Sequence, residues 1–215
     1  MKISILGAGN VGGTLGRAWA HKGHEVYFGV PNPQDPKTQE LLKAIGSKGR
    51  AGTVAEATAA SDVIVLATPW PATQGAIKAA GNLAGKVVVD CTNPLKEDVS
   101  GLALGYTTSG AEQVAEWAKG AKVYKAFIQT GFNIMADPAF DGRRAVIFVC
   151  GDDAAYKPTV LKLATEIGFE AIDAGNLVIA RLLEPYAMLW IHLALVQGLG
   201  RDFAFGLLRR EEDAP

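Results

Sequence analysis

Six residues near the start of the chain, Gly7-Ala8-Gly9-Asn10-Val11-Gly12, have the types and spacing to hold a dinucleotide. An apolar run, Ile3-Ser4-Ile5-Leu6, precedes them, and a helical run, Leu15-Gly16-Arg17-Ala18-Trp19-Ala20, follows. That is the strand, turn and helix setting a G-x-G-x-x-G fingerprint needs. Each glycine has its own task. Gly7 makes the tight turn off the strand, Gly9 lets backbone approach a pyrophosphate, and Gly12 lets helix and strand pack closely. The helix start at Asn10 and Val11 then turns free N–H groups and a partial positive charge toward the phosphates.

Cofactor choice belongs to the end of the second strand, His24-Glu25-Val26-Tyr27-Phe28-Gly29. An acid there would bind the ribose 2′-OH of NAD, and a cation would take the 2′-phosphate of NADP. The chain continues Val30-Pro31-Asn32-Pro33-Gln34-Asp35-Pro36-Lys37, with no acid at the strand end and with Asn32 and Lys37 as the available donors. This favours NADP and leaves NAD open; the alternative is a loop that the prolines merely stiffen.

Two more strand ends should border the cofactor. Asp62-Val63-Ile64-Val65-Leu66-Ala67 is a continuous apolar run, as in a strand buried on both faces, and ends in Thr68-Pro69-Trp70-Pro71. Trp70 either closes over the nucleotide or plugs against the next helix. Lys86-Val87-Val88-Val89-Asp90 leads to Cys91-Thr92-Asn93-Pro94-Leu95, where Thr92 and Asn93 offer a hydroxyl and an amide to ribose or nicotinamide. An Asx-type turn before Pro94 is the competing reading.

The elements that must position these residues read as alternating strands and helices. Further strands are expected near 51–52, 121–127, 144–150 and 169–173. Thr53 with Glu56, and Ser109 with Glu112, mark helix starts. Asp152 and Asp153 suit caps better than metal ligands, and no metal site is expected. The fold class is α/β, a Rossmann doubly wound, mostly parallel sheet with a small helical C-terminal extension. Residues 1–175 form the nucleotide-binding domain, and 176–215 a helical segment for substrate and dimerisation. In that segment Pro185 should start or kink a helix. Residues 187–196 are apolar nearly all round, so they are buried in the monomer or against a second copy. A homodimer burying Met188, Trp190 or Leu195 is expected.

Bulk properties narrow the function. With 49% hydrophobic and 20% charged residues, the 215-residue chain reads as a compact protein with ample length for a core. A formal charge of −1 without a Lys/Arg cluster argues against nucleic acid. No stretch approaches the roughly 18 apolar residues of a membrane span. The N-terminus does not read as a signal peptide. Cys91 and Cys150 read as reduced thiols, pointing to the cytoplasm. The charged run 209–215 reads as a solvated end.

The order of motifs resembles the NADP oxidoreductase, coenzyme F420-dependent family. The resemblance rests on Gly7 to Gly12, Thr68-Pro69-Trp70, Cys150-Gly151-Asp152-Asp153, Asp173-Ala174-Gly175, then Arg181-Leu182, Glu184 and Gly198-Leu199-Gly200. The same module resembles the NADPH-binding domain of STEAP metalloreductases, whose corresponding loop often reads Ser-Arg-Asn-Pro. Asn32-Pro33 matches that loop, and Val30-Pro31 departs from it. The resemblance implies a Rossmann domain, commonly a homodimer, and direct hydride transfer between NADPH and F420 or a flavin, with no side chain acting as nucleophile. It assigns the phosphate-binding backbone to Gly9, Asn10, Val11 and Gly12. A small-molecule acceptor would lie against the nicotinamide, near Trp70, Pro94, Thr130, Gly131, Phe132 and, if it faces the cleft, His192. Such a histidine could protonate an anionic flavin-like nitrogen; otherwise it is a core or interface residue. Two other readings stand beside this one. One is a reductase of small imines or keto acids; the other is a non-catalytic NAD(P)-binding redox sensor.

Overall fold

A computed structural model describes residues 1–210. The first half runs β1 (Lys2–Leu6), α1 (Asn10–His21), β2 (Glu25–Gly29), α2 (Pro36–Ile45), β3 (Gly49–Gly52), α3 (Val54–Ala59), β4 (Val63–Leu66), α4 (Trp70–Ala80) and β5 (Val87–Asp90). The second half runs α5 (Gly110–Trp117), β6 (Lys122–Lys125), α6 (Phe132–Ala136), β7 (Ala139–Phe140), β8 (Arg143–Arg144), β9 (Val146–Gly151), α7 (Lys157–Glu166), β10 (Glu170–Gly175) and α8 (Ala180–Ile191). Eight strands form one sheet in the order β10-β9-β6-β5-β4-β1-β2-β3. Six of them are mutually parallel; β9 pairs antiparallel with β6 and carries β10 parallel to itself. This is the expected doubly wound sheet.

Helices cover both faces, which is why β4 is buried at all of its positions, as is β5. Alternation sends Val63, Val65 and Val89 into one core with Ile5, Trp19 and Phe28. Ile64, Leu66 and Val88 enter the other, with Ile77, Val114 and Leu183. The register fixes where the loops leave the sheet. Leu6 pairs with Gly29 and with Leu66, Leu66 with Asp90, and Asp90 with Lys125, so five strands end level. The chain winds away from β1 in both directions, and the crevice lies at that switch point.

The expected capping box is formed: the Thr53 hydroxyl accepts from the Glu56 amide, and Glu56 accepts from the Thr53 amide. Of the two aspartates read as caps, Asp153 accepts from the Ala155 and Tyr156 amides ahead of α7. Asp152 instead accepts from the Leu177 amide, at the start of the C-terminal helix.

Two expectations for that helix need correction. Pro185 lies inside α8 and so does not start a helix. A 3-10 turn (Leu177–Ile179), α8 and a π-helical turn (His192–Val196) join into one 20-residue run, long and apolar enough by length and composition to cross a membrane. The apolar stretch read from the sequence was shorter because it was counted from beyond the proline. Leu183, Glu184, Ala187 and Trp190 are buried within the chain, while Leu182, Leu189, Leu195 and Val196 are exposed. Trp190 is therefore an interior residue: its ring stacks on Phe203 and its indole N–H donates to the Phe203 carbonyl. The charged run read as a solvated end lies, from 211 onward, outside the described residues.

Candidate functional site

The glycine turn leaves β1 at the switch point. Gly7 has φ +109° and donates to the Gly29 carbonyl at 3.1 Å; a Cβ there would sit 2.7 Å from the Ala67 carbonyl oxygen. At Gly12 a Cβ would strike the Gly7 carbonyl oxygen and stand 3.0 Å from Ile5. Gly9 differs from both, since a Cβ would meet nothing within 4 Å. Its face is open, as backbone that a ligand approaches must be.

Gly9 is the N-cap of α1 and no side chain caps that helix. Elsewhere Asp35, Thr53 and Ser109 cap α2, α3 and α5 with side-chain oxygens. The first amides of an α-helix have no intrahelical partner, so those of α1 stay available to an anion.

A cavity of about 520 Å³ opens against this turn. Its wall joins Gly9, Asn10 and Val11 to the end of β4 (Thr68, Pro69, Trp70) and the end of β5 (Cys91, Thr92, Asn93), and is closed by Leu95, Lys96 and Glu97. Three strand ends that are remote in sequence thus meet at one crevice. Trp70 lines it and also packs at 5.3 Å, tilted, on Trp117 of α5, so the plug and the wall are the same side chain. A larger cavity of about 880 Å³, around Phe140, Arg143, Arg144, Phe205 and Arg209, touches none of these loops.

Thr92 and Asn93 play different parts. The Thr92 hydroxyl and amide both donate to Asp90 Oδ1, at 2.7 and 2.9 Å, so the Asx-type turn is real, and it is centred on Asp90. Asn93 Nδ2 donates to the Ile128 carbonyl at 3.4 Å, while its Oδ1 is buried without a partner. A buried acceptor left unmatched in a cavity wall is a place for a ligand donor.

Beneath this loop lies a charge cluster that sequence reading missed. Lys125, Asp90 and Glu184 are each 0% exposed. Lys125 Nζ stands 2.6 Å from Asp90 Oδ2 and 2.9 Å from Glu184 Oε1, and donates to the Thr92 carbonyl at 2.9 Å. Burial opposes the charge on Lys125, but the two carboxylates outweigh it and hold the lysine above its usual range. Glu184 reaches this point from α8 and accepts from the Gly110 and Ala111 amides, closing the N-terminus of α5. A second lysine, at the buried end of β6, was the available signal. Leu95, Lys96 and Glu97 carried none.

The remaining candidates lie elsewhere. Asn32 and Lys37 are exposed and outside the cavity; Asn32 Oδ1 accepts from the Gln34 amide, and Asp35 caps the Lys37 and Thr38 amides. Pro94, Thr130, Gly131, Phe132 and His192 do not line it either. Pro94 packs against Gly110, and Gly131 lies under Trp190. Thr130, 8% exposed, has a hydroxyl with no partner. His192 is half-buried, with Nε2 3.2 Å from Gln197 Nε2.

Both cysteines are free and buried. Burial and the Asp90 carboxylate push the Cys91 thiol far up, and burial brings Cys150 to about 12, so neither is a thiolate nucleophile. Among the described residues no three His, Cys, Asp or Glu side chains gather as a metal site.

A family model described as NADP oxidoreductase coenzyme F420-dependent matches residues 2–94. A solved structure from Arthrobacter sp. FB24, for which an F420-dependent NADP-reductase role has been suggested, is 33% identical. The match covers 97% of this chain and 100% of that one, with a TM-score of 0.86. Metalloreductase STEAP3 of Rattus norvegicus is 31% identical over 184 residues, 85% of this chain; the match spans 36% of that protein's length. A reductive aminase from Aspergillus terreus, solved with NADPH and ethyl levulinate, shares the fold at 21% identity and a TM-score of 0.68. That match covers 92% of this chain and 62% of the aminase.

Proposed function

The chain belongs to the NADP oxidoreductase, coenzyme F420-dependent family, and from that premise we propose that it transfers hydride between NADP(H) and a planar acceptor, coenzyme F420 or a flavin. The observation that carries this reading is the crevice joining the open Gly9 face and the uncapped start of α1 to the ends of β4 and β5. Bound there, the nicotinamide supplies or receives the hydride, and the chain's own residues align it. The amides of Asn10, Val11 and Gly12 hold the pyrophosphate. Thr68, Pro69 and Trp70 form one wall. Asn93, which lines the crevice at the end of β5, would hold the nicotinamide carboxamide. Asn32 and Lys37 are the donors for a 2′-phosphate. The acceptor stacks on the nicotinamide, in a site to which Pro94, Thr130, Gly131, Phe132 and His192 are the candidate contributors. The two free thiols suit a cytoplasmic protein.

The test is a titration with NADPH and NADH, followed by mixing with F420, FMN, FAD and a panel of imines and keto acids. NADPH oxidation with deazaflavin or flavin alone is the expected result. Turnover of small carbonyls would establish the imine or keto acid reductase reading. Tight nucleotide binding without any acceptor would establish the redox-sensor reading.

We also propose a homodimer through the C-terminal helix. Val178, Leu182, Leu189 and Val196 recur at near-heptad steps, and all are exposed, between 42% and 66%.

A further inference from the structure

We infer that Lys125 is a positioning residue for the nicotinamide end of the cofactor: held between Asp90 and Glu184, its ammonium fixes the Thr92 carbonyl and with it the loop that presents Asn93 to the cavity. The inference rests on the nucleotide reading of that cavity.

The Thr92 peptide is gripped from both sides. Its amide and hydroxyl donate to one oxygen of Asp90, and its carbonyl accepts from Lys125. Asp90 and Lys125 are themselves register partners on adjacent strands. With the two peptide flanks fixed by rigid strand ends, the next residue has little freedom. Asn93 then needs only the Ile128 carbonyl to set its side-chain plane. The fourth member, Glu184, is brought by α8 and anchored on the start of α5. The loop proposed to lie beside the nicotinamide is thereby coupled to α8.

A purely stabilising role explains the cluster poorly. Burying three charges carries a desolvation cost that their attraction offsets only in good geometry, and apolar side chains of similar volume often hold a fold as well. Apolar side chains would not hold a carbonyl at a fixed place. What the charges add is the position of Thr92.

The test compares NADPH with 2′-phospho-ADP-ribose, which is NADP without the nicotinamide, by titration calorimetry on the whole protein. Lys125→Met is expected to weaken NADPH about tenfold, the equivalent of one lost hydrogen bond, and to leave 2′-phospho-ADP-ribose within about twofold of wild type. Should that variant fail to fold, Lys125→Met combined with Asp90→Asn and Glu184→Gln removes all three charges together. It leaves amide oxygens for the Thr92 and Gly110 donors and carries the same expectation. Equal weakening of both ligands, or no change in either, would overturn the inference. If the wild-type protein binds neither ligand, the nucleotide reading fails instead.

Discussion

Gly9 and Gly12 stand three residues apart and answer to different constraints. Gly9 is extended and open to space, so a side chain there meets no protein atom but would occupy the path proposed for the phosphates. Gly9→Val is expected to weaken NADPH by about 100-fold or more while the melting temperature stays within a few degrees, surface changes away from contacts being nearly neutral. Gly12→Val should instead cost about 1–3 kcal/mol or more, because the new carbons press on the Gly7 carbonyl and Ile5. Calorimetric melting and nucleotide titration on the two variants separate these effects; unchanged affinity in Gly9→Val would remove the turn from the site. Such residues were legible in the sequence because glycine spacing encodes backbone geometry directly. The loop from 91 to 94 was legible only in part. The Thr92 hydroxyl is turned onto Asp90, and no spacing rule announces that a lysine 33 residues away holds the Thr92 carbonyl. Partners across a sheet become neighbours through register, which a one-dimensional pattern does not record.

Among the elements, α8 shows which contacts fasten the C-terminal segment to the sheet. The Arg181 guanidinium pairs with Glu112 through two hydrogen bonds of 2.6 and 2.9 Å and holds that carboxyl below its ordinary range, yet the arginine side chain is 35% exposed. Solvent screening leaves such a pair worth little. Trp190 is buried, stacked on Phe203 and hydrogen-bonded through its indole. Trp190→Ala is expected to cost about 3–5 kcal/mol in denaturant unfolding, and Arg181→Ala much less. The reverse ranking would show that ion pairing rather than aromatic packing docks the helix. Strands and long helices could be read from periodicity, and the β4 and β5 expectations hold because a strand buried on both faces is apolar without interruption. The stretch after β6 could not. Helix α6 has five residues and strands β7 and β8 two each, too few for any period to register. Of the two readings of Pro185, the helix start is excluded, because buried turns on both sides of it belong to one helix.

For the whole molecule, the exposed stripe from Val178 to Val196 is the surface on which the proposed dimer would form. A dimer should persist at micromolar concentration in light scattering, and Leu182→Glu with Leu189→Glu should give a monomer that still binds NADPH. A monomeric wild type would sink the proposal. The chain also contains two helix starts of opposite economy. That of α5 is filled from within by Glu184, and that of α1 is left without a side-chain cap. A missing cap leaves a helix roughly 1 kcal/mol less stable than it could be. On the proposed reading, the nucleotide's phosphates would take the place at the start of α1 that a capping side chain holds elsewhere. Binding at one hundred times the dissociation constant adds about 2.7 kcal/mol to folding stability. On the proposed nucleotide reading, scarcity of the dinucleotide would raise the unfolded fraction and with it exposure to proteolysis, so the dinucleotide pool would also set how long each copy survives.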